Sequence, residues 1–399
     1  MTVLAADKPP YVVPSMAEVA AARGTNGHRV VSSFSGGGGS CLGLELAGFE
    51  IIWASEFIPE ARRTYEANHP GVPVDGRDIR EVTATEILAA TGLDAGELDL
   101  FEGSPPCASF STAGQRHRGW GIVKDYSDTT QRSDDLFWEY ARLLGGLRPK
   151  VFVAENVSGL VKGVAKGYFK RILRELARQG YRVEARMLDA QWLGVPQARK
   201  RMIFLGVRED LSVEHRWPAP LPYAYAVNEV LPWIARQGEN REFGRASMRP
   251  ANRPSPTFGA DPSSGNGLSP PSHVEVIERA VHDTSGQFDR TDFTRRPAPA
   301  VTVSGGAASV HFQLHGRHLQ QTDPETGAKL LIGGRPALGG RQRRRLTLAE
   351  LRVLCSFPAD FELTGTYAQR WERLGRSVPP LMMAAVGRGI AAMLDEVAS

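Results

Sequence analysis

Residues 28–208 alternate short apolar runs with segments of helical periodicity, and this alternation constrains the fold more than any other feature of the sequence. Strands that alternate with helices predict a mostly parallel sheet with helices on both faces. We therefore expect an α/β, Rossmann-like domain whose ligands bind at the carboxyl ends of the strands. The clearest predicted strands are residues 28–34, 50–55, 150–154, 181–188 and 202–207, and the clearest helices are 59–68, 134–147 and 168–179.

The composition is that of an intracellular globular protein. The chain has 399 residues, of which 42% are hydrophobic and 23% charged, enough for two domains or for one large domain with an inserted lobe. Its three cysteines, Cys41, Cys107 and Cys355, lack paired spacing, which argues against a disulfide framework and a zinc site. We expect a soluble, cytoplasmic protein, because no segment has the pattern of a signal peptide or approaches about 18 uninterrupted apolar residues. The net charge of +4 barely favours a nucleic-acid partner.

Composition changes along the chain predict four regions. The first residues have little periodicity and read as a flexible leader, and the α/β alternation stops near residue 210. The stretch that follows is rich in Pro, Gly, Ser and Arg, with short strands predicted at 299–303 and 310–314. The predicted regions are a leader at 1–27, a catalytic domain at 28–235, a second, loop-rich domain at 236–345, and a last segment at 346–399 whose final helix returns to the catalytic domain.

A glycine turn follows the first strand, at Gly36–Gly39, and precedes a short helix. Glycines let the backbone approach a nucleotide cofactor, and the N–H groups of the following helix face it; a flexible loop has the same composition. Glu56 ends the second strand about twenty residues later, where it can accept hydrogen bonds from ribose hydroxyls or remain a solvated carboxylate. Asp78 is placed to accept a bond from an adenine amino group or to serve as a turn residue.

Cys107 follows a predicted strand and two prolines in Ser104-Pro105-Pro106-Cys107. Each proline fixes its own φ and restricts the residue before it, so the thiol is held still, as a nucleophile requires. A lone cysteine is otherwise a small buried hydrophobe. Glu155 ends a neighbouring predicted strand, which places a carboxyl group at the same edge of the sheet.

Two polar segments are candidates for nucleic-acid contact. Residues 109–133 form a long stretch without periodicity, a pattern typical of functional or disordered loops. Residues 341–345 are a basic run, which is ordinarily a solvated face but next to a catalytic lobe favours phosphate contacts.

The order of these features resembles the DNA (cytosine-5) methyltransferase family, from about residue 30 to residue 392. The resemblance implies an S-adenosylmethionine-dependent methyltransferase domain of Rossmann-like fold with a smaller, loop-rich target-recognition domain. It also implies a monomer that acts on double-stranded DNA, with or without a cognate restriction endonuclease. The motifs that carry it are Phe34-x-Gly36-x-Gly38-Gly39, Pro105-Pro106-Cys107, Glu155-Asn156-Val157, Gln197-x-Arg199-x-Arg201, Arg345-Leu346-Thr347 to Phe357-Pro358, and Gly375-x-Ser377-Val378-Pro379-Pro380.

The same residues suit the chemistry of cytosine C5 methylation. Addition of the Cys107 thiolate to C6 turns the ring into an enamine whose C5 attacks a sulfonium methyl group. Glu155 can donate a hydrogen bond at N3, where electrons accumulate, and Arg199 and Arg201 can polarise the O2 carbonyl. The target base must leave the duplex, and the 109–133 loop would close over it.

By resemblance, further residues receive binding roles. The cofactor-binding residues are Phe34, Ser35, Gly36, Gly38, Gly39, Glu56, Asp78, Ile79, Pro105, Ser377 and Val378. The DNA-binding residues are Gln115, Arg116, Arg118, Gln197, Arg343 and Arg344.

The sequence departs from the family pattern at three positions. Ala108 replaces the usual Gln after the cysteine, Arg376 replaces an Asn, and Ser32 replaces an acidic residue on the cofactor strand. These changes affect the hydrogen bonding around Cys107 and at the methionine end of the cofactor. We hypothesise that Arg376 contacts the cofactor carboxylate.

Two other functions use the same features. A DNA-reading regulator would keep the fold but methylate nothing, and the intact Cys107, Glu155, Arg199 and Arg201 argue against it. A methyltransferase acting on RNA is the second, and the large insert at 215–340 favours duplex DNA over it by analogy.

Overall fold

The structure, a computed structural model, describes residues 8–106, 123–125, 130–132, 135–161, 165–232, 234–239, 247–250, 254–256, 273–277, 322–330 and 341–398. The helices are α1 Met16–Ala22, α2 Gly39–Leu46, α3 Pro59–Asn68, α4 Ala84–Thr91, α5 Leu136–Leu147, α6 Ala165–Arg178, α7 Val227–Val230, α8 Leu348–Leu354, α9 Tyr367–Arg376 and α10 Pro380–Ala398. The strands are β1 Arg29–Ser33, β2 Glu50–Ser55, β3 Val74–Asp75, β4 Leu100–Gly103, β5 Val123–Asp125, β6 Thr130–Arg132, β7 Val151–Val157, β8 Tyr181–Asp189, β9 Gln197–Ala198, β10 Lys200–Arg208, β11 Ile234–Glu239, β12 Ser247–Pro250, β13 Ser255–Pro256, β14 His273–Ile277 and β15 Arg341–Arg345.

A seven-stranded sheet organises the molecule, in the order β3-β2-β1-β4-β7-β10-β8. Adjacent strands from β3 to β7 are parallel, and β10 is antiparallel to both of its neighbours, β7 and β8. The predicted α/β fold with a mostly parallel sheet is confirmed. The carboxyl ends of β1, β2, β4 and β7 therefore meet at one edge, where the candidate site lies.

Helices cover both faces of this sheet because its central strands are apolar on both sides. On one face, Met382 and Ile390 of α10 pack in a common core with Leu44 of α2 and Val30 of β1. On the other face, Tyr140 of α5 lies among residues from β4, β7 and α6. The last helix is thus part of the core around the sheet.

The N-terminal segment differs from the flexible leader that its composition predicts. Helix α1 begins with a capping box between Ser15 and Glu18, and Val19 is fully buried. Tyr11 is also buried and donates its hydroxyl to the Val353 carbonyl at 2.9 Å. The expectation of loose attachment is wrong for residues 8–27, because two apolar side chains in an otherwise unperiodic segment anchor it to the core.

A second sheet contains β12, β11, β14 and β15 in that order, with antiparallel neighbours. The basic run is its edge strand β15. The strands predicted at 299–303 and 310–314 lie outside the described residues. Strand β13 pairs in parallel with β9, and this pairing joins residues 255–256 to the segment just before β10.

One stretch among the described residues, Tyr367–Ala398, is long and apolar enough by composition to span a membrane. The structure divides it into α9 and α10, and 61% of its apolar window is buried inside the fold. The apolar side chains of this stretch therefore pack in the interior of the protein.

Candidate functional site

The glycine turn between β1 and α2 has an unusual backbone. Phe34, Gly36 and Gly38 have φ values of 54°, 58° and 91°, in the left-handed region that a side chain disfavours. Ser35 N–H donates to the Ser55 carbonyl at 3.0 Å, which fixes the turn against the end of β2. The turn thus lies where β1 and β2 end.

Two of the glycines are required by their neighbours. A Cβ on Gly38 would lie 2.3 Å from Nε2 of the buried His69. A Cβ on Gly39 would lie 2.6 Å from the Val378 carbonyl oxygen and 3.2 Å from Cβ of Ser377. The Gly375-x-Ser377-Val378-Pro379-Pro380 motif, here called the late motif, therefore contacts the glycine turn. The two are more than 330 positions apart in the sequence.

Glu56 lies beside this turn as the side chain that follows β2. Its two carboxylate oxygens accept the N–H groups of Gly36 and Ile58, each at 2.7 Å. Burial raises the pKa of Glu56, while these amides and the charges of Arg373 and Arg376 lower it. A carboxylate has about four acceptor positions, so two remain for hydroxyl donors of a ligand.

Asp78 lies in the loop after the short strand β3. Arg80 donates to both of its oxygens and also pairs with Asp135 at the start of α5. Ile79, next along the chain, is buried in the core. The carboxylate of Asp78 is thus held by an arginine rather than exposed as an isolated turn residue.

Glu155 and Arg201 form the charged centre of the site. The two side chains come from the paired strands β7 and β10, and the Arg201 Nε lies 2.7 Å from Glu155 Oε1. Burial raises the pKa of Glu155, whereas Arg201 and Arg199 lower it. A buried carboxyl group with a raised pKa can keep its proton and donate it.

Arg199 has different surroundings from Arg201. It is almost fully buried and donates Nη1–H to the Gly375 carbonyl at 3.0 Å, just before Ser377. Burial and the charge of Arg201 lower its pKa to about 9. Its hydrogen bond connects the strand region of the Gln-x-Arg-x-Arg motif with the late motif.

Gln197 is fully buried and donates to the Cys355 sulfur at 3.7 Å. Its burial leaves no part of the side chain exposed for a DNA contact, in contrast to the role that the resemblance implies. Arg343 and Arg344 lie on the edge strand β15, with their backbones opposite Glu275 and Val274. Cys107, Gln115, Arg116 and Arg118 lie outside the described residues.

Ser377 and Arg376 end helix α9. The Ser377 hydroxyl donates to the Leu374 carbonyl at 2.8 Å, and Arg376 Nε lies 2.8 Å from the Glu372 carboxylate. Arg376 thus forms an ion pair within its own helix, and its charge also lowers the pKa of Glu56.

Asn156 is a functional candidate that the sequence reasoning did not single out. Its Nδ2 donates to the Pro105 carbonyl at 3.2 Å, and its Oδ1 accepts the Val157 N–H at 2.8 Å. The side chain thereby holds the prolines that precede Cys107 against the end of β7. Its place inside the Glu-Asn-Val motif was the available signal.

Glu102 is the second residue missed. It lies on β4, one strand from Glu155, and only 1% of it is exposed. Its carboxylate accepts hydrogen bonds from the hydroxyls of Ser32 at 2.5 Å and Ser40 at 2.6 Å. Burial raises its pKa to about 7, and the charge of Glu155 adds to the shift.

The sheet order, the glycine turn and the acidic residue after β2 define a Rossmann-like α/β enzyme domain with its site at the carboxyl ends of the strands. A sequence profile described as C-5 cytosine-specific DNA methylase matches residues 28–392. The chain therefore belongs to the C-5 cytosine-specific DNA methylase family, and it is a DNA cytosine-5 methyltransferase.

Individual relatives agree with this assignment. Type II methyltransferase M.MthTI from Methanothermobacter thermautotrophicus is 27% identical over 373 residues, which cover 92% of this chain and 98% of that protein. Type II methyltransferase M.FnuDI from Fusobacterium nucleatum is 36% identical over 194 residues, so the match spans about half of each chain, 48% and 51%.

A solved structure supports the fold. The structure of a Spodoptera frugiperda DNMT2 variant superposes with a TM-score of 0.57 at 16% identity, covering 91% of this chain and 99% of that one. At this identity the likeness concerns the fold alone.

Proposed function

We propose that the protein transfers a methyl group from S-adenosylmethionine to C5 of cytosine at specific sites in double-stranded DNA, through a covalent bond between Cys107 and C6. The observation that carries this proposal is the pairing of Arg201 with the buried Glu155 beside the Asn156–Pro105 contact. The end of β7 thus carries both Glu155, which supplies the carboxyl group, and Asn156, which holds the prolines that precede Cys107.

The residues of the glycine turn fit S-adenosylmethionine. A Cβ on Gly36 would meet no atom within 4 Å, so space is open beside a backbone of positive φ. Glu56 borders this turn with acceptor positions left for two ribose hydroxyls. The other residues proposed to hold the cofactor are Phe34, Ser35, Gly38, Gly39, Asp78, Ile79, Pro105, Ser377 and Val378.

The cofactor supplies an electrophilic methyl group on a sulfonium sulfur. The Cys107 thiolate forms a bond to C6, and the electron pair of the C5–C6 double bond moves toward N3 and O2. Glu155 donates its proton at N3, and Arg201 stabilises charge at O2. C5 is then the nucleophilic carbon of an enamine. After C5 gains its methyl group, with S-adenosylhomocysteine as the leaving group, loss of the C5 proton to water reforms the C5–C6 double bond and expels the Cys107 thiolate. N3 returns its proton to the Glu155 carboxylate, which restores the enzyme.

The contact between Glu155 and Arg201 supports the donor role proposed for Glu155. Burial favours its neutral form, while Arg201 prevents the carboxyl from becoming too weak an acid to give up its proton. Arg199 contributes through its charge and through its bond to Gly375, which supports the segment around Ser377.

The target cytosine lies inside a duplex, so the enzyme must flip it out, at a cost of a few kcal/mol. We assign Gln115 or Arg116 to fill the vacated position in the base stack and Arg118 to DNA contact. Contacts with flanking DNA are assigned to the domain at 236–345, with Arg343 and Arg344. We also propose a restriction-modification or orphan methylation role in the cytoplasm. The relatives are named Type II methyltransferases, which supports the restriction-modification role.

Trapping of the covalent adduct tests this function. The substrate is genomic DNA amplified with 5-fluoro-2′-deoxycytidine triphosphate in place of dCTP. The covalent adduct persists on this DNA, because fluorine cannot leave C5 as a cation. We expect an SDS-stable complex for the wild type that requires S-adenosylmethionine, and none for Cys107→Ala. The control is Cys41→Ala, which removes a thiol buried in the core whose pKa is raised by burial.

Two outcomes would contradict the proposal. DNA retention without an adduct in the wild type would favour the regulator that only binds. Methyl transfer to tRNA in preference to duplex DNA, measured in direct competition, would favour an RNA substrate.

A further inference from the structure

Glu102 is a buried carboxyl group to which the mechanism above gives no role. It lies directly opposite Ser32 in the pairing of β4 with β1. Ser32 presents a hydroxyl at this position, so the carboxyl group of the facing pair lies on β4.

The hydrogen bonds of Glu102 reach both sides of the glycine turn. The Ser32 hydroxyl gives its one proton to Glu102 Oε2, so the Ser35 hydroxyl, 2.8 Å from Ser32 Oγ, is the donor between those two serines. Ser40, in the first turn of α2, donates to Glu102 Oε1. One carboxylate thus ties the residue before the glycines to the helix after them.

This cluster is shielded from water. Ser32, Ser35, Ser40 and Glu102 are all buried. A hydrogen bond to a carboxylate is stronger and more directional than one between hydroxyls, so the cluster restrains the turn more than serines alone would.

We infer that Glu102 is a positioning residue for the glycine turn at the S-adenosylmethionine site, because its carboxylate on β4 holds the serines on both sides of that turn. The inference rests on the proposed function, because it concerns the same cofactor site. Glu102 acts through Ser32, Ser35 and Ser40 and needs no contact with the cofactor itself.

Moving the carboxyl group across the strand pair, from β4 to the facing position on β1, tests this role. The variants are Glu102→Val, which removes the carboxyl but keeps a strand-forming residue, and Ser32→Asp combined with Glu102→Val. We expect Glu102→Val to weaken S-adenosylhomocysteine binding about tenfold in calorimetry. The double variant should regain most of that affinity, which a merely structural role for Glu102 would not predict.

Asp99 provides a matched control at the opposite end of the same strands. It is a buried carboxylate that accepts the Arg29 N–H and the Lys150 ammonium group. Asp99→Asn should lower the melting temperature without changing S-adenosylhomocysteine affinity. If Glu102→Val does not fold, Glu102→Gln, which keeps the side-chain size, replaces it in both backgrounds with the same expected loss and recovery.

The outcomes separate this inference from the function it rests on. Wild-type protein that binds no S-adenosylhomocysteine would overturn the cofactor assignment itself. Wild-type binding with equal affinity in the Glu102 variant would overturn only the positioning role, as would a double variant that folds but recovers no affinity.

Discussion

Arg201 Nε lies 2.7 Å from Glu155 Oε1 across the antiparallel pair β7–β10. The backbone partner of Glu155 in this pairing is Ile203, so Arg201 reaches it from two residues away on the same strand face. The paired strands β7 and β10 thus hold a carboxyl group and a planar guanidinium group side by side. Both groups are largely buried at the edge of the sheet.

Arg201→Ala should lower kcat by about 10²-fold, because one stabilising donor is lost from the reacting base. Arg201 lowers the pKa of Glu155, so its removal also moves the alkaline limb of the kcat profile to higher pH. The measurement is methyl transfer to DNA as a function of pH. Asp210→Asn, which breaks an exposed pair with Arg208 at the far end of β10, is the control and should leave the profile unchanged.

Asn156→Ala should reduce kcat while S-adenosylhomocysteine still binds. The change removes the donor to Pro105 and the acceptor for Val157, and leaves a buried carbonyl unsatisfied, at about 1–3 kcal/mol. Single-turnover methylation and calorimetry on the same preparation measure the two effects. Equal losses in turnover and in S-adenosylhomocysteine affinity would show that Asn156 does not act on the Pro105-Pro106-Cys107 segment.

Gly38→Ala should destabilise the fold more than Gly71→Ala does. Both glycines have φ near +90°, so the backbone strain of an alanine is similar, about 1–2 kcal/mol. Only at Gly38 would the new Cβ collide with His69, whereas at Gly71 it meets no atom within 4 Å. Urea unfolding of the two variants isolates the clash, and equal free energies of unfolding would contradict the packing described for the turn.

The pKa of Glu102 predicts a pH dependence of stability. Its pKa is raised from 4.5 to about 7 in the fold, so the folded protein binds more protons than the unfolded chain between these values. Stability therefore falls as pH rises through this window. From pH 5.5 to pH 8 the loss is roughly 2 kcal/mol.

Glu102→Gln should remove this contribution, since the amide does not titrate. The free energy of unfolding of wild type minus variant, measured in urea at pH 5.5 and pH 8, should fall with pH by that amount. A difference that stays constant would show that Glu102 does not titrate in this window.

Much of the fold could be predicted from the sequence because its signals are local. The structure has β2 at Glu50–Ser55 and α3 at Pro59–Asn68, the bounds that the apolar pattern and Pro59 predict. Helices α4 and α9 are not evident from apolar periodicity, but each begins with a capping box that the sequence contains, Thr83 with Glu86 and Thr366 with Gln369.

The site could be predicted only in part, because its decisive contacts are not local. The motif placed Glu155 and Arg201 at neighbouring strand ends, as the structure has them. No pattern linked Glu102 with Ser32, 70 positions apart, since strand order determines that pairing. The burial of Gln197 against Cys355 likewise depends on packing between distant segments.

Site-specific methylation of DNA cytosine through Cys107 can be tested directly in cells. The protein is expressed in a host that lacks cytosine methylation, and 5-methylcytosine is then mapped across the genome. We expect 5-methylcytosine confined to one sequence context in cells with the wild type, and none in cells with Cys107→Ala at equal expression. An unmodified genome with soluble wild-type protein present, or an equally methylated genome in the Cys107→Ala cells, would contradict site-specific methylation through Cys107.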